Sequence, residues 1–496
     1  MNTNPVDFLL FSKCGGQHSA ISKMSPLNNI PEDSIDRTYM GFRPWRALGP
    51  SKIANSLRSN GYTVQIINFV NVLSEEELYD ISKLYMDTNT IIGISTTFFE
   101  DMKDINPEHI PFCRVIDRLK LDYGSKIILG GPIPDRFTTL FNADHIIRGW
   151  AENAILDLVD KIKNHGIRRT RQKEWTIQTC SHRWHESDRI QPGETLPIEI
   201  SRGCIYSCNF CRYDMKGKKQ GEYVRDFSLL RDEIIENYER YQVTNYMIMD
   251  DTFNDDPVKM EDWCKMVDGL PFTIQYTAHI RTDLLHRYQE IARELYKQGM
   301  IGAILGIETF NTAAAKSINK QWSSKYGKEF VPYYVHDICG GKTLTSINFI
   351  IGLPGDTIQD GWDWIKWSEE NKIPNVSFQT LSVRIPKYFP NEAVYSDFEL
   401  YADEKYGYTF PNPDNRNHWI NGDMSYIESL KASSMMLKYV NEHFTEQSWA
   451  GLASMGLGYT LDELISTTVG QRYQDPRLLQ QQVKWVDNYV RDISLK

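Results

Sequence analysis

The chain reads as an α/β protein in three parts: an N-terminal doubly wound parallel sheet, a central partial barrel of six strand–helix units, and a mostly helical C-terminal extension. Two observations predict this, and a third sets where it stops. Short apolar runs of strand length alternate with amphipathic helical patterns over residues 1–165. The alternation resumes over residues 197–385, after a polar stretch at 166–196 that carries Arg168-Arg169 and Pro192-Gly193 and reads as a linker. Such alternation builds parallel sheets covered by helices. Beyond Pro386 it ends. Residues 386–496 begin with a segment rich in Pro, Asn, Tyr, Phe and Trp and continue into helical patterns over 426–443 and 476–493. The aromatic segment is expected to pack the open side of the barrel rather than act as a lid, because aromatics usually serve as core.

In the first region Val6 to Phe11 is a short apolar strand. A helix from Ala47 to Ser59 places Leu48, Ile53 and Leu57 on one side and stops at Asn60-Gly61. Thr63 to Phe69 is a strand. Ser74 opens a helix whose first turn is Glu75, Glu76 and Glu77. Ile91 to Ser95 is a strand, residues 105–121 contain a helix, and Lys126 to Leu129 is a strand running into Gly130-Gly131-Pro132. His145 to Ile147 and the helix Ala151 to Ile162 close the region. In doubly wound sheets ligands sit beyond the carboxyl ends of the strands. Ser95, Thr96, Gly130 and Gly131 fall at such ends, and small residues there let a bulky group approach the backbone.

In the second region strand Pro197 to Ile200 leads into a cysteine-rich loop. Helix Leu229 to Tyr241 carries Leu230, Ile234 and Tyr238 on one face. Strand Asn245 to Met249 ends at Asp250-Asp251, and strand Phe272 to Ala278 precedes His279-Ile280-Arg281. A helix is expected from a cap at Asp283 to a stop at Gly299. Strand Ile301 to Ile307 ends at Glu308, strand Ser346 to Ile351 at Gly352-Leu353-Pro354-Gly355, and Val376 to Leu381 is the sixth. Barrel-type proteins collect reactive groups at these strand ends. Asp250, Asp251, Arg281, Glu308 and Gly352 form such a series.

Composition narrows the function. The 496 residues are 41% hydrophobic and 24% charged with a net charge of −10, which gives no general attraction to nucleic acid or anionic membrane. Lys216, Lys218 and Lys219 make a local basic run that reads as a solvated loop. No apolar run approaches the ~20 residues that span a bilayer, and cysteines outside one cluster are thinly spread. A cytoplasmic protein with a reducing environment is expected. Cys180, His182 and His185 in the linker lack a fourth ligand and read as structural or surface residues.

Cys204, Cys208 and Cys211 form C-x3-C-x2-C in Gly203-Cys204-Ile205-Tyr206-Ser207-Cys208-Asn209-Phe210-Cys211. Three thiolates this close can hold three corners of an iron–sulfur cluster. Zinc takes a closed four-ligand set, and the next cysteine is as far away as Cys264. A [4Fe–4S] cluster on three cysteines keeps one iron open to a small molecule.

With its aromatic before the last cysteine, this loop resembles the radical S-adenosylmethionine (SAM) superfamily. The resemblance implies a (βα)6 core, ligation of the cluster by Cys204, Cys208 and Cys211, SAM on the open iron, and cleavage of SAM to a 5'-deoxyadenosyl radical. It also implies a one-electron donor such as a flavodoxin or ferredoxin. Asp250-Asp251-Thr252-Phe253 occupies the place of the motif that binds the SAM amino group, with two aspartates where many members have Gly-Gly-Glu. Gly306-Ile307-Glu308 resembles the segment reaching the ribose or carboxylate. The run from Phe349 to Thr357, with Gly352, resembles the motif near adenine, and Phe210 would set its backbone against adenine. Arg281 is placed to clamp the carboxylate.

Residues 1–165 resemble the cobalamin-binding domains that precede many such cores, through Asn60-Gly61-Tyr62, Ile92-Gly93-Ile94-Ser95, Ile128-Leu129-Gly130-Gly131 and Arg148-Gly149-Trp150-Ala151-Glu152. The cobalt-ligating pattern D-x-H-x-x-G is absent, and Asp144-His145 lies in a strand. The resemblance therefore implies a cobalamin-dependent radical SAM enzyme that abstracts hydrogen from an unactivated carbon and delivers a methyl group. The competing expectations are a cobalamin-free oxidoreductase, a methylthiotransferase, whose second cluster Cys14, Cys113 and Cys180 are too scattered to hold, and a non-catalytic iron–sulfur or cobalamin sensor. Tyr206, Tyr213, Tyr276 and His279 lie near the expected site and read as structural. The sequence names neither a catalytic base nor the substrate.

Overall fold

The computed structural model describes residues 4–13, 43–99, 111–132, 134–163, 175–213, 215–320, 324–383, 395–411, 419–422 and 424–495. Contacts divide the chain into two compact units. One comprises Met1–Pro197, Asp232–Val243 and Pro476–Lys496, and the other Ile198–Arg231 and Thr244–Asp475.

The first unit is built on five parallel strands: β1 (Phe8–Phe11), β2 (Val64–Ile67), β3 (Ile91–Ser95), β4 (Ile127–Gly130) and β5 (His145–Ile146). Their order is β2-β1-β3-β4-β5, so the winding reverses between β1 and β3. The doubly wound expectation is borne out. Strands covered on both faces are continuous apolar runs, as Phe8, Leu9, Leu10 and Phe11, all buried, illustrate. Gly93 is required in β3 because a Cβ there would meet the Phe8 ring at 2.3 Å. The helix Glu75–Lys83 starts on a reciprocal Ser74–Glu77 capping box. The helix Pro476–Ser494 also belongs to this unit. Its Tyr489 hydroxyl accepts a hydrogen bond from the Asn68 N–H at 2.9 Å, and its ring stacks with Trp485 beside Phe69. Arg46, 1% exposed, lies over the rings of Phe69 and Tyr489 and is paired with Glu194.

The second sheet has six parallel strands in sequence order: β6 (Leu196–Ile198), β7 (Asn245–Ile248), β8 (Gln275–Ile280), β9 (Met300–Glu308), β10 (Ser346–Ile351) and β11 (Asn375–Thr380). This is the expected partial barrel. Its β11 edge is covered by the helix Tyr426–His443, with the Thr380 and Ser433 hydroxyls 3.0 Å apart. The helix Ser448–Met455 packs at the amino-terminal end of the strands, where Ser448 Oγ lies 2.5 Å from the Leu344 carbonyl. Of the described aromatic residues in this segment, Phe398, Tyr406, Tyr408 and Trp419 pack as core, while Tyr401 is exposed. Tyr408 donates to the Gly352 carbonyl at 2.7 Å and Trp419 Nε1 to the Leu381 carbonyl at 2.9 Å.

Two readings of local structure need correction. The helix expected from Asp283 to Gly299 is two helices, Thr282–Arg287 and Gln289–Lys297, broken at Tyr288 (φ −118°, ψ 62°). Asp283 is not the cap but lies in the first turn, where Arg281 holds it. β8 also runs two residues further than expected, to Ile280, which carries His279 into the sheet. Part of the 105–121 reading, the Arg168-Arg169 pair, Cys14 and the start of the aromatic segment at Pro386 lie outside the described residues.

Candidate functional site

The cysteine loop follows β6 and is fastened from beneath by the strand end of β7. Asp250, 1% exposed, accepts hydrogen bonds from the N–H groups of Ile200 (2.8 Å) and Ser201 (2.9 Å) and from the Ser201 hydroxyl (2.7 Å). Asp251 accepts from the Gly203 N–H at 2.9 Å. Burial pushes the Asp251 carboxyl up to about 6, against the opposing pull of that N–H. Gly203 (φ 78°) has no substitute, since a Cβ there would sit 2.2 Å from Met215 Cβ. Lys259, 2% exposed, reaches Asp255 at 2.6 Å, Ser201 Oγ at 3.0 Å and the Thr252 carbonyl at 3.2 Å. Lys218 is not solvated as its sequence context suggests. It is 8% exposed and donates to the Arg202 carbonyl at 3.0 Å, while burial pulls its pKa down. Lys216 donates to the Cys211 carbonyl at 2.9 Å, and Lys219 is exposed.

Cys204, Cys208 and Cys211 are free, half-buried thiols facing one cavity of about 170 Å³. Phe210, Asp251, Arg281 and Glu308 line the same cavity, and so do Lys320 and Asn348. Burial raises the Cys204 thiol and pushes Cys211 up to about 11. Among the described residues no three such side chains close around a single metal ion. Three sulfurs around a shared cavity suit a polynuclear cluster better than one ion.

The charged groups of this cavity are arranged in pairs. Arg281 is committed to Asp283 through two bonds of 3.0 and 2.9 Å, stacks 3.7 Å from the Tyr206 ring centroid, and approaches Cys208 Sγ to 3.7 Å. Glu308 ends β9 with a left-handed backbone (φ 68°) and pairs with Lys320 Nζ at 2.8 Å. Lys320 also bonds the Gly306 carbonyl. Gly306 leaves room for that pair, because a Cβ would lie 2.8 Å from Glu308 Oε1.

Gly352 and Asp250 do not line the cavity. Gly352 (φ 107°) lies under Trp419, whose ring would be 2.5 Å from an added Cβ. Asp356 in the following turn accepts from Thr309 Oγ1 at 3.0 Å, has no partner for Oδ2 among the described residues, and is pushed up to about 8 by burial. Tyr276 points away, bonding the Leu295 carbonyl. Lys259, Lys320 and Asn348 were not singled out from the sequence. Only Lys259 carried a signal, as residue i+4 from Asp255 on a helix opened by Asp256-Pro257.

In the first unit Ser95, Thr96, Gly130 and Gly131 form one cradle beyond β3 and β4. Ser95 and Gly130 are register partners, and the Thr96 N–H donates to the Gly130 carbonyl at 2.8 Å. Gly131 (φ 119°) allows Thr96 close, since a Cβ would lie 2.6 Å from Thr96 Oγ1. That hydroxyl is buried without a partner among the described residues. His145 is a β5 residue registered with Ile128.

Residues 198–368 match the family described as the radical SAM superfamily. The fold is similar to those of two solved enzymes. The radical SAM methyltransferase TsrM from Kitasatospora setae, with cobalamin and a [4Fe–4S] cluster bound, superposes with a TM-score of 0.60 over 97% of this chain and 100% of that one, at 12% identity. TsrM with tryptophan and a SAM analogue gives 0.59 over 97% and 99%, also at 12%. The cobalamin-dependent radical SAM enzyme OxsB with aqua-cobalamin gives 0.51 at 16% identity, over 74% of this chain and 52% of that one. This chain thus spans about half of OxsB. No curated protein matches the sequence. Among the described residues no helix is long and apolar enough to cross a membrane.

Proposed function

We propose that the chain is a cobalamin-dependent radical SAM enzyme that functionalises an unactivated carbon of its substrate, most simply by methylation. One observation carries the reading: three cysteines of one short loop share a cavity with Asp251, Arg281, Glu308 and Lys320. When bound, a [4Fe–4S] cluster on Cys204, Cys208 and Cys211 supplies the electron that splits SAM, and a methylcobalamin supplies the methyl group.

The remaining work falls to side chains. Lys320 holds the SAM carboxylate, because Arg281 is already engaged by Asp283 while Lys320 is shared only with Glu308 and a carbonyl. Asp251 accepts from the ammonium, and a cation there favours the ionised carboxylate that burial disfavours. Glu308 and Asn348 meet the ribose hydroxyls. Phe210 bounds the adenine. Asp250 and Lys259 hold the loop so that these groups keep their positions. In the first unit Thr96, Ser95, Gly130 and Gly131 offer a hydroxyl and open backbone to the corrin side chains. The reductant is a small one-electron carrier such as a flavodoxin or ferredoxin.

Anaerobic reconstitution with iron, sulfide and hydroxocobalamin, then SAM and a reductant, tests the reading. Bound iron, retained cobalt and 5'-deoxyadenosine release are expected. Nucleoside release without cobalt would leave a cobalamin-free oxidoreductase, and iron without any SAM-induced spectral change would refute the enzyme.

A further inference from the structure

Asn209 stands between Cys208 and Phe210 in the sequence but faces the other way. Its two neighbours line the cysteine cavity, whereas Asn209 lines a separate cleft of about 560 Å³, bounded also by Lys316, Ser317, Asn319, Lys405 and Tyr406. Among the described residues none lines both spaces. The segment 316–320 divides in the same way, with Lys320 in the cavity and Lys316, Ser317 and Asn319 on the cleft. One layer of chain therefore parts the two. Three hydrogen bonds stitch it: the Asn209 N–H to the Ile318 carbonyl (3.1 Å), Asn209 Nδ2 to the Ser317 carbonyl (2.7 Å) and Asn319 Nδ2 to the Ser207 carbonyl (3.3 Å).

The chain around this cleft is basic although the whole is acidic. Residues 202–222 hold Arg202, Arg212, Lys216, Lys218 and Lys219 against Asp214 and Glu222, and residues 312–320 hold Lys316 and Lys320 against no carboxylate, in a chain of net charge −10. At the cleft itself Lys316, in the last turn of the helix Thr312–Ser317, is exposed and has no carboxylate partner among the described residues. Lys405, its side chain 54% exposed, pairs at 2.6 Å with Asp397, which also accepts from the Tyr406 hydroxyl. Asp403 and Glu404 precede Lys405 but do not line the cleft. Small-molecule pockets are enclosed and mostly apolar. This lining is largely amide, hydroxyl and ammonium, which suits a protruding part of another protein, and its free lysine suits an acidic one. Complementary charge speeds encounter more than it deepens affinity, as a partner that must bind, discharge and leave requires.

We infer that this cleft is the docking site of an acidic one-electron carrier protein of the flavodoxin type, seated against Asn209 with a single layer of chain between it and the three cysteines. That the docked protein serves as reductant rests on the proposed function; the docking itself needs neither cluster nor SAM. Each encounter passes one electron: the reduced flavin is oxidised by one, the cluster is reduced by one, and no bond is made and no proton moved.

Binding of oxidised flavodoxin to the full, metal-free chain, followed by fluorescence anisotropy, is the first measurement. The rate at which reduced flavodoxin bleaches the reconstituted cluster without SAM is the second. Salt-sensitive binding is expected, with a Kd on the order of 10 μM at low salt and at least about tenfold weaker at about 0.3 M salt. Lys316→Glu should weaken it about threefold, and Lys316→Glu/Lys405→Gln about tenfold or more. Lys297→Glu/Lys342→Glu alters exposed lysines that precede β9 and β10, at the opposite ends of those strands, and should stay within about twofold of wild type. Bleaching by flavodoxin should fall in step with binding, while bleaching by reduced methyl viologen, a small cation, should not. Circular dichroism identifies a variant that fails to fold, and Lys316→Glu alone then carries the test. Flavodoxin that does not bind, that ignores Lys316→Glu, or that weakens equally in the control pair overturns the inference. So does flavodoxin bleaching that is unslowed in the double variant, which would place electron entry elsewhere, and so does equal slowing of both reductants, which would make the substitutions act on the cluster. A chain that takes up no iron, or whose bleached cluster leaves SAM intact, sinks the proposed function and leaves the binding result standing.

Discussion

Replacing Lys320 by methionine removes one charge and keeps most of the side-chain length, so it isolates the proposed carboxylate anchor. The ammonium is 6% exposed and sits 2.8 Å from Glu308 Oε1, itself 12% exposed. A hydrogen bond to a charged group in such a site is worth about 1.5–3 kcal/mol, which corresponds to roughly 10–150-fold in affinity. A second effect has the same sign. Without Lys320, Glu308 is a lone carboxylate facing the SAM carboxylate, and like charges about 6 Å apart at an effective dielectric near 20 repel by roughly 3 kcal/mol. Lys320→Met is therefore expected to weaken SAM by about 100-fold or more, with Lys320→Met/Glu308→Gln recovering part of the loss. SAM lacking its carboxylate provides the control. The reconstituted wild type should prefer SAM to the decarboxylated analogue by at least about tenfold, Lys320→Met should reverse that preference because Glu308 then repels only the ligand that keeps its carboxylate, and Lys320→Met/Glu308→Gln should bind both within about threefold of each other. Anaerobic equilibrium dialysis with labelled ligand reads these affinities. If the variant still prefers SAM by tenfold, the anchor is elsewhere, and Arg281 released from Asp283 becomes the reading to test.

Three further outcomes follow. Asp356, pushed by burial up to about 8 from the ordinary carboxylate range, stays protonated in the folded chain while the unfolded chain ionises; its stabilising contribution is complete below about pH 4 and is lost as pH rises toward 8. The stability of Asp356→Asn relative to wild type should thus rise by roughly 2 kcal/mol between about pH 6 and pH 8, and a pH-independent difference in urea unfolding would contradict the assignment. Lys259→Met strands Asp250 and Asp255 in the interior and should cost about 3–5 kcal/mol; an unchanged urea midpoint would show that the network is not needed to hold the loop. Gly131→Ala places a methyl against Thr96 and forces a strained φ, so it should abolish retention of hydroxocobalamin while iron content is unchanged; equal cobalt in variant and wild type would remove the cradle from consideration.

Much of the architecture was legible because buried parallel strands are written as uninterrupted apolar runs. Ser346–Ile351 and the helix Ala151–Ile162 have the bounds their residues suggest. The helix Pro257–Asp268 was overlooked although Asp256 caps it and Pro257 sits at its first position, since Lys259, Glu261, Asp262 and Lys265 blur its apolar stripe. The split at Tyr288 was hidden for a different reason: nothing in its residue type breaks a helix, and tertiary packing decides. At the site, Asp251, Arg281 and Glu308 were visible as polar residues closing apolar strands. Lys320 was not, because its meeting with Glu308 depends on how the chain folds back after the helix Thr312–Ser317. Lys218 shows the opposite failure. A lysine in a glycine-containing basic run looks solvated, and the Arg202 carbonyl at 3.0 Å together with Asp255 at 3.7 Å explains its burial.

The hydrogen bond from Asn68 to Tyr489 joins residues 421 positions apart within one compact unit. A ribosome adding about 5–20 residues per second needs roughly 20–80 s to travel that distance. Throughout that interval the early strands are complete, yet Phe69 and the Arg46 guanidinium lack the aromatic layer that encloses them. The nascent polypeptide must keep this surface from sticking to its neighbours until translation reaches Trp485 and Tyr489. Shortening the gene before that helix would make the delay permanent, so aggregation of such a fragment would report on an unroofed N-terminal sheet rather than on any defect in the barrel.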